Sequence, residues 1–315
     1  MTTDTTAPSY WLNWRFFLCA IWILISMTVA AIVIWRYEGS SKSNAEQKVG
    51  DLYEDEAWRT SSKRIHPVWL LAYRVFGFSI LLAALIEDIV LHTARIFYFY
   101  TEWTFILVTV YFALASIFSL DGCLNKCKDV RAADCVELDA ERGSYVAPTP
   151  EENGNTPSIP SQSNTHEKLL NRKRAGIRGY IFQIMFQTTA GAVVLTDVVF
   201  WLILYPFLTS KDYKLNFMKV CMHSLNAIIL LGEVALNNMR FPFFRVAYFI
   251  LWTSTFVIFQ WIVHACVSLW WPYPFLDLSS PYAPAWYVAV GVLTIPCYSV
   301  FALIIRIKKC CCSRG

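Results

Sequence analysis

Ionisable side chains inside long apolar stretches are the first candidates for chemistry in this chain of 315 residues. Such groups are costly in hydrocarbon, so those that occur there usually pair with one another or take part in function. The sequence has nine of them: Arg74, Glu87, Asp88, His92, Glu102, Asp197, His223, Glu233 and His264. Each of these residues is compatible with two roles: a structural pair inside a helical bundle, or a functional group.

A threonine and two histidines form the most specific combination. Thr101, His223 and His264 each fall about one turn from the same end of an expected membrane helix, roughly 6–9 Å deep at 1.5 Å per residue. A Thr hydroxyl is a weak nucleophile alone, and a neighbouring His activates it by accepting its proton. The alternative is structural, because Thr and His in membrane helices also hydrogen-bond backbone or neighbouring helices.

Membrane helices are the elements that must position these residues. The chain is 56% hydrophobic and only 16% charged, whereas soluble domains carry about 25% charged residues. A helix needs ~20 mostly apolar residues to cross the hydrocarbon, and seven stretches satisfy this: 16–35, 68–91, 97–120, 180–208, 219–237, 244–270 and 285–307. The sequence therefore predicts an all-α polytopic membrane protein, a bundle of about seven transmembrane helices with a six-span core plus one N-terminal span.

The distribution of Lys and Arg predicts the orientation, because cytosolic loops carry an excess of both. These residues concentrate in segments 36–64 and 126–178 and in the C-terminal tail. With seven spans, all three segments lie on the side opposite the N-terminus. We therefore expect an integral multi-pass protein of the plasma membrane or an endomembrane, with its N-terminus outside or lumenal and its C-terminus cytosolic.

The polar segments divide the chain. The predicted parts are a polar N-terminus (1–15), a three-span front half (16–120), a cytosolic disordered loop (121–174), a four-span back half (175–307) and a Cys-rich cytosolic tail (308–315). The Pro-, Ser-, Asn- and Thr-rich composition of 149–165 is typical of disorder. The tail cysteines Cys310, Cys311 and Cys312 follow the last span, which makes them candidates for S-palmitoylation.

An aromatic and Pro-rich segment, 270–284, joins the last two spans on the outer side. Its prolines prevent a continuous helix, so we expect it to lie along the interface as a lid or re-entrant cap. Asp277 is its only charged residue. This carboxylate either orients a histidine or caps the following turn.

Several classes of site have no sequence signature here. The sequence has no zinc-ligand spacing, phosphate-binding loop, dinucleotide fingerprint or G-x-S-x-G elbow. We therefore predict no cofactor and no metal. The net charge of +4 is small and scattered, so we expect no nucleic-acid partner. The expected partners are membrane lipid and a hydrophobic ester substrate.

The back half of the chain resembles the androgen-induced/rolling-stone family of multi-pass membrane proteins. The resemblance lies in HSLNAIILLGEVALNNMRFP (223–242) and in YFILWTSTFVIFQWIVHACVSLWWPYPFLD (248–277), which contains a W-x-x-H…W-x-YPFL element. The segment FYTEWTFILVTVYFA (99–113) is similar to the family's threonine segment. The match covers roughly 68–307 and is closest to plant members, whose molecular function is poorly defined.

The resemblance implies roles for particular residues. Some animal members are membrane threonine hydrolases that cleave fatty-acid esters of hydroxy fatty acids, and by resemblance Thr101 is the nucleophile and His223 its partner. His264 matches a second family histidine, and Glu233 the acidic residue about ten positions after the first. Asn226, one turn from His223, is from its position alone a candidate oxyanion donor.

Differences from the family and alternative functions complete the prediction. The chain has an extra apolar span at its front, an inserted loop, and Trp103 where the hydrolases carry a smaller residue.

The preferred hypothesis is a lipid-ester hydrolase-like protein. The alternative is a non-enzymatic scaffold or a fusion- or receptor-like protein of the rolling-stone type. A transporter ranks last because the sequence has no inverted repeat.

Overall fold

The protein is an assembly of α-helices. The computed structural model describes residues 4–38, 53–62, 65–92, 97–141, 175–208 and 217–314. Within these residues the regular structure is helical, apart from an isolated β-bridge between Thr60 and Asn237. The helices are α1 (Pro8–Trp11), α2 (Trp14–Glu38), α3 (Pro67–His92), α4 (Tyr100–Glu141), α5 (Ile177–Val199), α6 (Phe217–Met222), α7 (Leu225–Leu236), α8 (Val246–Cys266) and α9 (Ala283–Arg314). The all-α prediction is confirmed.

Six helical segments of the described chain are long and apolar enough to cross a membrane. They are Trp14–Glu38, Pro67–Leu91, Tyr100–Lys128, Ile177–Phe207, Phe243–Cys266 and Ala283–Cys311. They correspond to six of the seven predicted spans. The remaining stretch, 219–237, does not form one continuous helix, because α6 ends at Met222 and α7 begins at Leu225.

Contacts at one end of the bundle show that α6 and α7 together return the chain across it. Gln187, in the first half of α5, donates to the carbonyl of Arg240, just beyond α7, at 3.0 Å. Lys308, near the end of α9, donates to the carbonyl of Val234 at 2.6 Å. The start of α5 and the end of α7 therefore lie at the same end. Since α5 runs away from that end, the broken segment brings the chain back.

Helix α5 occupies the centre of the bundle, and α2 lies at its edge. α5 packs against α4, α8 and α9, whereas α2 packs against α8 and α9. The contact between α5 and α8 is close. A Cβ atom at Gly191 would lie 2.6 Å from Cδ1 of Phe249, which is shorter than a carbon–carbon contact allows, so a larger residue here would displace the Phe249 ring.

A fully buried ion pair joins three helices in the half of the bundle where α3 begins. Nη2 of Arg74 in α3 lies 2.6 Å from Oε1 of Glu233 in α7, and both side chains are inaccessible to solvent. Tyr111 of α4 donates to the same carboxylate at 3.0 Å. The guanidinium also donates to Ser119 of α4 at 2.6 Å and to the carbonyl of Ala57 at 2.8 Å. Burial of charge is tolerated because several hydrogen-bonding groups of both partners are satisfied.

Two predicted boundaries differ from the structure. Helix α4 continues to Glu141 and α9 to Arg314, so the helices extend well past the apolar residues from which the spans were predicted. The first part of the segment predicted as a disordered loop, 121–141, is therefore helical, and 142–174 lies outside the described residues. Cys310 and Cys311 are free and exposed near the end of α9, and their acylation stays a prediction.

Removing one partner of the buried ion pair should destabilise the bundle. Glu233→Gln leaves the Arg74 guanidinium buried without a counter-charge, which typically costs roughly 3–5 kcal/mol. We expect a clear fall in the thermal unfolding midpoint of the detergent-solubilised protein. Glu87→Gln, which changes an exposed carboxylate of α3, is the matched control and should leave the midpoint almost unchanged.

The double variant Arg74→Met/Glu233→Leu separates an uncompensated charge from a general packing defect. It removes both charges and should recover much of the lost stability. A double variant that is less stable than Glu233→Gln alone would contradict this explanation.

Candidate functional site

A narrow apolar cavity lies beside the start of α4. Its volume is about 50 Å³. Thr101 and His223 both line it. Its other walls come from α5, α8, α9, the 273–276 segment and two residues that follow α5, Phe200 and Leu204. A water molecule needs about 10–15 Å³ of such space, so the cavity accommodates only a few atoms, on the scale of a carbonyl group. The sequence placed these two residues at one depth, and the structure brings both to the same cavity.

Thr101 is the second residue of α4, whose first backbone amides have no partner within the helix. The N–H of Tyr100 donates to the hydroxyl of Tyr273 at 3.0 Å. The backbone N–H and the side chain of Thr101 lie beside the same hydroxyl and lower its pKa. The positive end of a helix dipole favours negative charge at this position. A nucleophile here would therefore react close to groups that stabilise a developing negative charge.

Tyr273 belongs to the YPFL element, but its contact with Thr101 was not expected from the sequence. The side chain is buried, and this burial raises the pKa of Tyr273 to about 12. The phenol is protonated at physiological pH, as an ordinary tyrosine is, and burial moves its titration further from that range. Its hydroxyl accepts a hydrogen bond from the N–H of Tyr100 and retains a proton that it can donate to an oxygen in the cavity.

His223 lies at the break between α6 and α7. Its ring stacks on Phe200, with centroids 3.6 Å apart and planes at 2°. Its backbone carbonyl accepts a hydrogen bond from Nε1 of Trp201 at 3.0 Å. Phe200 begins a π-helical segment, Phe200–Leu208, and such segments are frequent at functional sites. The π-helical segment and the break between α6 and α7 therefore contact each other at the cavity wall.

The imidazole of His223 is available for a new hydrogen bond. Its Nδ1 is buried and has no hydrogen-bond partner. Thr101 and His223 both belong to the described part of the chain and both line the cavity, but no direct hydrogen bond joins them. Catalytic hydrogen bonds are often long in ligand-free structures and tighten when substrate binds.

His264 lies outside this cavity and has a complete set of partners. One ring nitrogen contacts the hydroxyl of Tyr98 at 3.0 Å and the other the carbonyl of Gln260 at 2.8 Å. The ring stacks on Trp271, with centroids 3.7 Å apart. Gln260 also donates to the carbonyl of Tyr98 at 2.9 Å. This group therefore braces the turn that leads into α4 and so helps to position Thr101.

Two of the proposed supporting residues lie away from the cavity walls. Asn226 is buried one turn beyond His223, and its amide makes a long bond, 3.4 Å, to the carbonyl of Met222 in the preceding turn. That arrangement does not direct the amide at the cavity. Glu233 is occupied by the ion pair with Arg74, which gives it a structural position in the other half of the bundle.

Asp277 connects the aromatic loop to the N-terminal segment. It accepts a hydrogen bond from the hydroxyl of Tyr10 at 2.8 Å and another from the backbone N–H of Ser279 at 2.8 Å. The Tyr10 hydroxyl in turn accepts a hydrogen bond from the indole N–H of Trp271 at 2.9 Å. Burial and the adjacent carboxylate raise the pKa of Tyr10, so it remains a donor. The segment predicted as a polar N-terminus thus holds the cap in place.

The described residues contain no group of three or more His, Cys, Asp or Glu side chains that could hold a metal ion. The chemistry available at the cavity is that of threonine hydroxyls, tyrosine phenols and one imidazole. Sequence reasoning selected Thr101 and His223. It missed Tyr273, Phe200 and Trp201, of which only Tyr273 lies in a motif that the sequence singled out.

Comparison with known proteins gives no assignment for the site. No family model, curated protein or solved structure matches this chain.

Proposed function

We propose that this protein is an integral-membrane lipid-ester hydrolase in which Thr101 is the nucleophile and His223 the general base. The observation that carries the proposal is that both side chains line one water-poor cavity, at a helix start and at a helix break. The resemblance of 99–113 and 223–277 to the androgen-induced/rolling-stone family, itself part of the proposal, is consistent with this assignment.

The proposed reaction has two steps. His223 accepts the proton of the Thr101 hydroxyl as Oγ1 attacks the ester carbonyl carbon, and the resulting imidazolium gives that proton to the departing alcohol oxygen as the C–O bond breaks. Water then attacks the acyl-threonine ester while His223 accepts a proton from the water. The proton returns to Oγ1 as the fatty acid leaves.

Tyr273 replaces Asn226 as the proposed oxyanion donor. Its hydroxyl lies beside the Thr101 side chain and accepts a hydrogen bond from the N–H of Tyr100 at the start of α4, which polarises its O–H bond. A preorganised donor close to the nucleophile stabilises the tetrahedral intermediate without reorganisation. The hydroxyl is in its neutral, proton-bearing form at physiological pH, as a hydrogen-bond donor must be.

The first test is hydrolysis of lipid esters by the purified protein. Thr101→Ala should reduce turnover to background, and His223→Ala should reduce kcat roughly 100- to 10,000-fold, the usual contribution of general acid–base catalysis. Thr255→Ala and His66→Ala change exposed residues away from the cavity and should retain activity. Equal hydrolysis by wild type and both cavity variants would exclude the proposed pair and favour the scaffold alternative.

A second test concerns Tyr273. Tyr273→Phe removes one hydroxyl and should lower kcat roughly 100- to 1,000-fold, as loss of an oxyanion donor does, with little change in KM because the apolar ring remains. Tyr282→Phe, at an exposed position, is the matched control. A Tyr273→Phe variant with unchanged kcat would remove Tyr273 from the mechanism.

The proposed orientation places the cavity toward the outer leaflet. The Lys and Arg distribution supports a cytosolic C-terminus, and the contact between Tyr10 and Asp277 means that the N-terminus and the cap share one side. In sealed microsomes, an N-terminal epitope should be protected from protease and a C-terminal epitope should be removed. The reverse pattern would contradict the orientation, and detergent permeabilisation is the control that exposes both epitopes.

A further inference from the structure

A wide cavity with a polar lining lies at the end of the bundle where α5 begins. Its volume is about 710 Å³, within the range of ~300–1,000 Å³ that is usual for small-molecule sites. Its walls come from the 53–58 segment, from the part of α4 that precedes residue 129, and from the 175–179 segment at the start of α5. The proposed hydrolysis does not involve this cavity.

The α4 wall of the cavity changes from apolar to charged along one face of the helix. Phe118, Asp121, Asn125 and Lys128 line the cavity, and their spacing of three or four residues places them on one face of α4. Phe118 is half-buried, whereas the other three side chains are exposed. The cavity therefore has an apolar end toward the middle of α4 and a polar end away from it, as an amphiphilic ligand would require.

The charged end of this wall lies at the level of the lipid headgroups. The membrane-crossing segment Tyr100–Lys128 has 29 residues, about 43 Å at 1.5 Å per residue, which matches the ~40–45 Å of a bilayer with its headgroup regions. Lys128 ends this segment, and Arg178 is the second residue of the next one, Ile177–Phe207. Both cations therefore lie where the phosphate groups of a bilayer lie.

Two cations on different helices line this cavity without a carboxylate partner. In the part of the chain that the structure describes, the ion pairs involve side chains other than Lys128 and Arg178. Asp121 lines the same wall, but it precedes Lys128 by seven positions, about 10 Å along the helix. A phosphate group would therefore be attracted to the two cations, while Asp121 and Asn125 offer oxygen acceptors to hydroxyl groups.

We propose that this cavity binds the headgroup of an anionic membrane lipid that carries both phosphate and hydroxyl groups, a lipid of the phosphoinositide class. Lys128 and Arg178 bind its phosphate, and Asp121 accepts a hydrogen bond from a ring hydroxyl. In the orientation that the Lys and Arg distribution favours, this end is cytosolic, and the cytosolic leaflet carries the anionic lipids. The inference is independent of the hydrolase proposal.

The 53–58 wall is held in place by the buried ion-pair network and by α4. The carbonyl of Ala57 accepts a hydrogen bond from the Arg74 guanidinium at 2.8 Å. A Cβ atom at Gly122 would overlap the ring of Trp58, so the glycine allows the indole to lie directly against the α4 backbone. The cavity therefore exists before a ligand binds, which reduces the entropic cost of binding.

The experiment compares two double variants that remove equal charge from the same end of the bundle. Lys128→Gln/Arg178→Gln removes the two cations of the cavity, whereas Lys126→Gln/Arg306→Gln removes two that do not line it. All four side chains are exposed, so both variants should fold, and their thermal unfolding midpoints check this. The affinity of the detergent-purified proteins for dioctanoyl phosphatidylinositol phosphate is measured by titration calorimetry.

For Lys128→Gln/Arg178→Gln we expect roughly 30-fold weaker binding, since each basic residue contributes about fivefold to the affinity for an anionic lipid surface. The control variant should bind as the wild type does. Equal losses in the two variants would indicate general attraction to a basic surface and would overturn the inference.

Two further ligands test the class of headgroup and its source. Dioctanoyl phosphatidylserine is an anionic lipid without a phosphorylated ring, and free inositol bisphosphate is a headgroup without a lipid. Both should bind the wild type more weakly than dioctanoyl phosphatidylinositol phosphate. Equal affinity for phosphatidylserine would overturn the assignment of the headgroup, and equal affinity for inositol bisphosphate would overturn the assignment to a lipid.

A second measurement uses only the wild-type protein. Lys126 and Lys128 are both exposed on α4, but only Lys128 lines the cavity. The protein in phosphatidylcholine nanodiscs, with and without phosphatidylinositol phosphate, is acetylated with an N-hydroxysuccinimide ester and analysed by mass spectrometry. The phosphoinositide should slow acetylation of Lys128 and leave that of Lys126 unchanged. Equal protection of both lysines, or protection of neither, would contradict the inference.

Discussion

Backbone polar groups in apolar surroundings must find partners within the protein, and the break between α6 and α7 shows how this chain meets that constraint. A helix that stops at Met222 and starts again at Leu225 frees carbonyl and amide groups from the regular pattern. Trp201 donates to the freed carbonyl of His223 and Phe200 stacks on its ring. The irregularity is therefore a supported arrangement that holds one imidazole at the wall of an apolar cavity.

The two halves of the bundle are stabilised by different interactions. In one half, the buried Arg74–Glu233 pair joins α3, α4 and α7 through hydrogen bonds that satisfy charge. In the other half, aromatic packing and the hydroxyl of Tyr10 hold the 270–284 cap over the start of α4. That half also contains the Thr101/His223 cavity. The N-terminal segment fixes the cap there through the hydrogen bond from Tyr10 to Asp277.

The composition of the chain was sufficient to predict the helical class and six of its spans, because each span is an uninterrupted apolar run. The break at His223 was not predictable in the same way. The residues around it, M-H-S-L, include neither Pro nor Gly, and the ring that stabilises the break, Phe200, comes from another helix. The continuation of α4 to Glu141 was missed for a related reason: an apolar window ends where the hydrocarbon would end, whereas a helix need not.

The candidate site shows the same limit at the level of single residues. Depth alone grouped Thr101, His223 and His264, yet helix rotation decides which of them line the cavity, and rotation depends on packing. His264 proved to be fully bonded to Tyr98 and Gln260. Tyr273 reaches Thr101 across 172 positions of sequence, a contact that no local pattern specifies. The partner of Glu233, Arg74, was on the list of ionisable groups, but the sequence does not say which members pair.

The central claim, that Thr101 is an acylated nucleophile, is tested most directly by detecting the covalent intermediate. The purified protein is incubated with a slowly hydrolysed acyl ester, quenched in acid and digested, and its peptides are analysed by mass spectrometry. The account predicts one acyl group on Thr101 in the wild type and none at this position in Thr101→Ala. Turnover of the ester without acylation of Thr101, or with acylation at another residue, would contradict it.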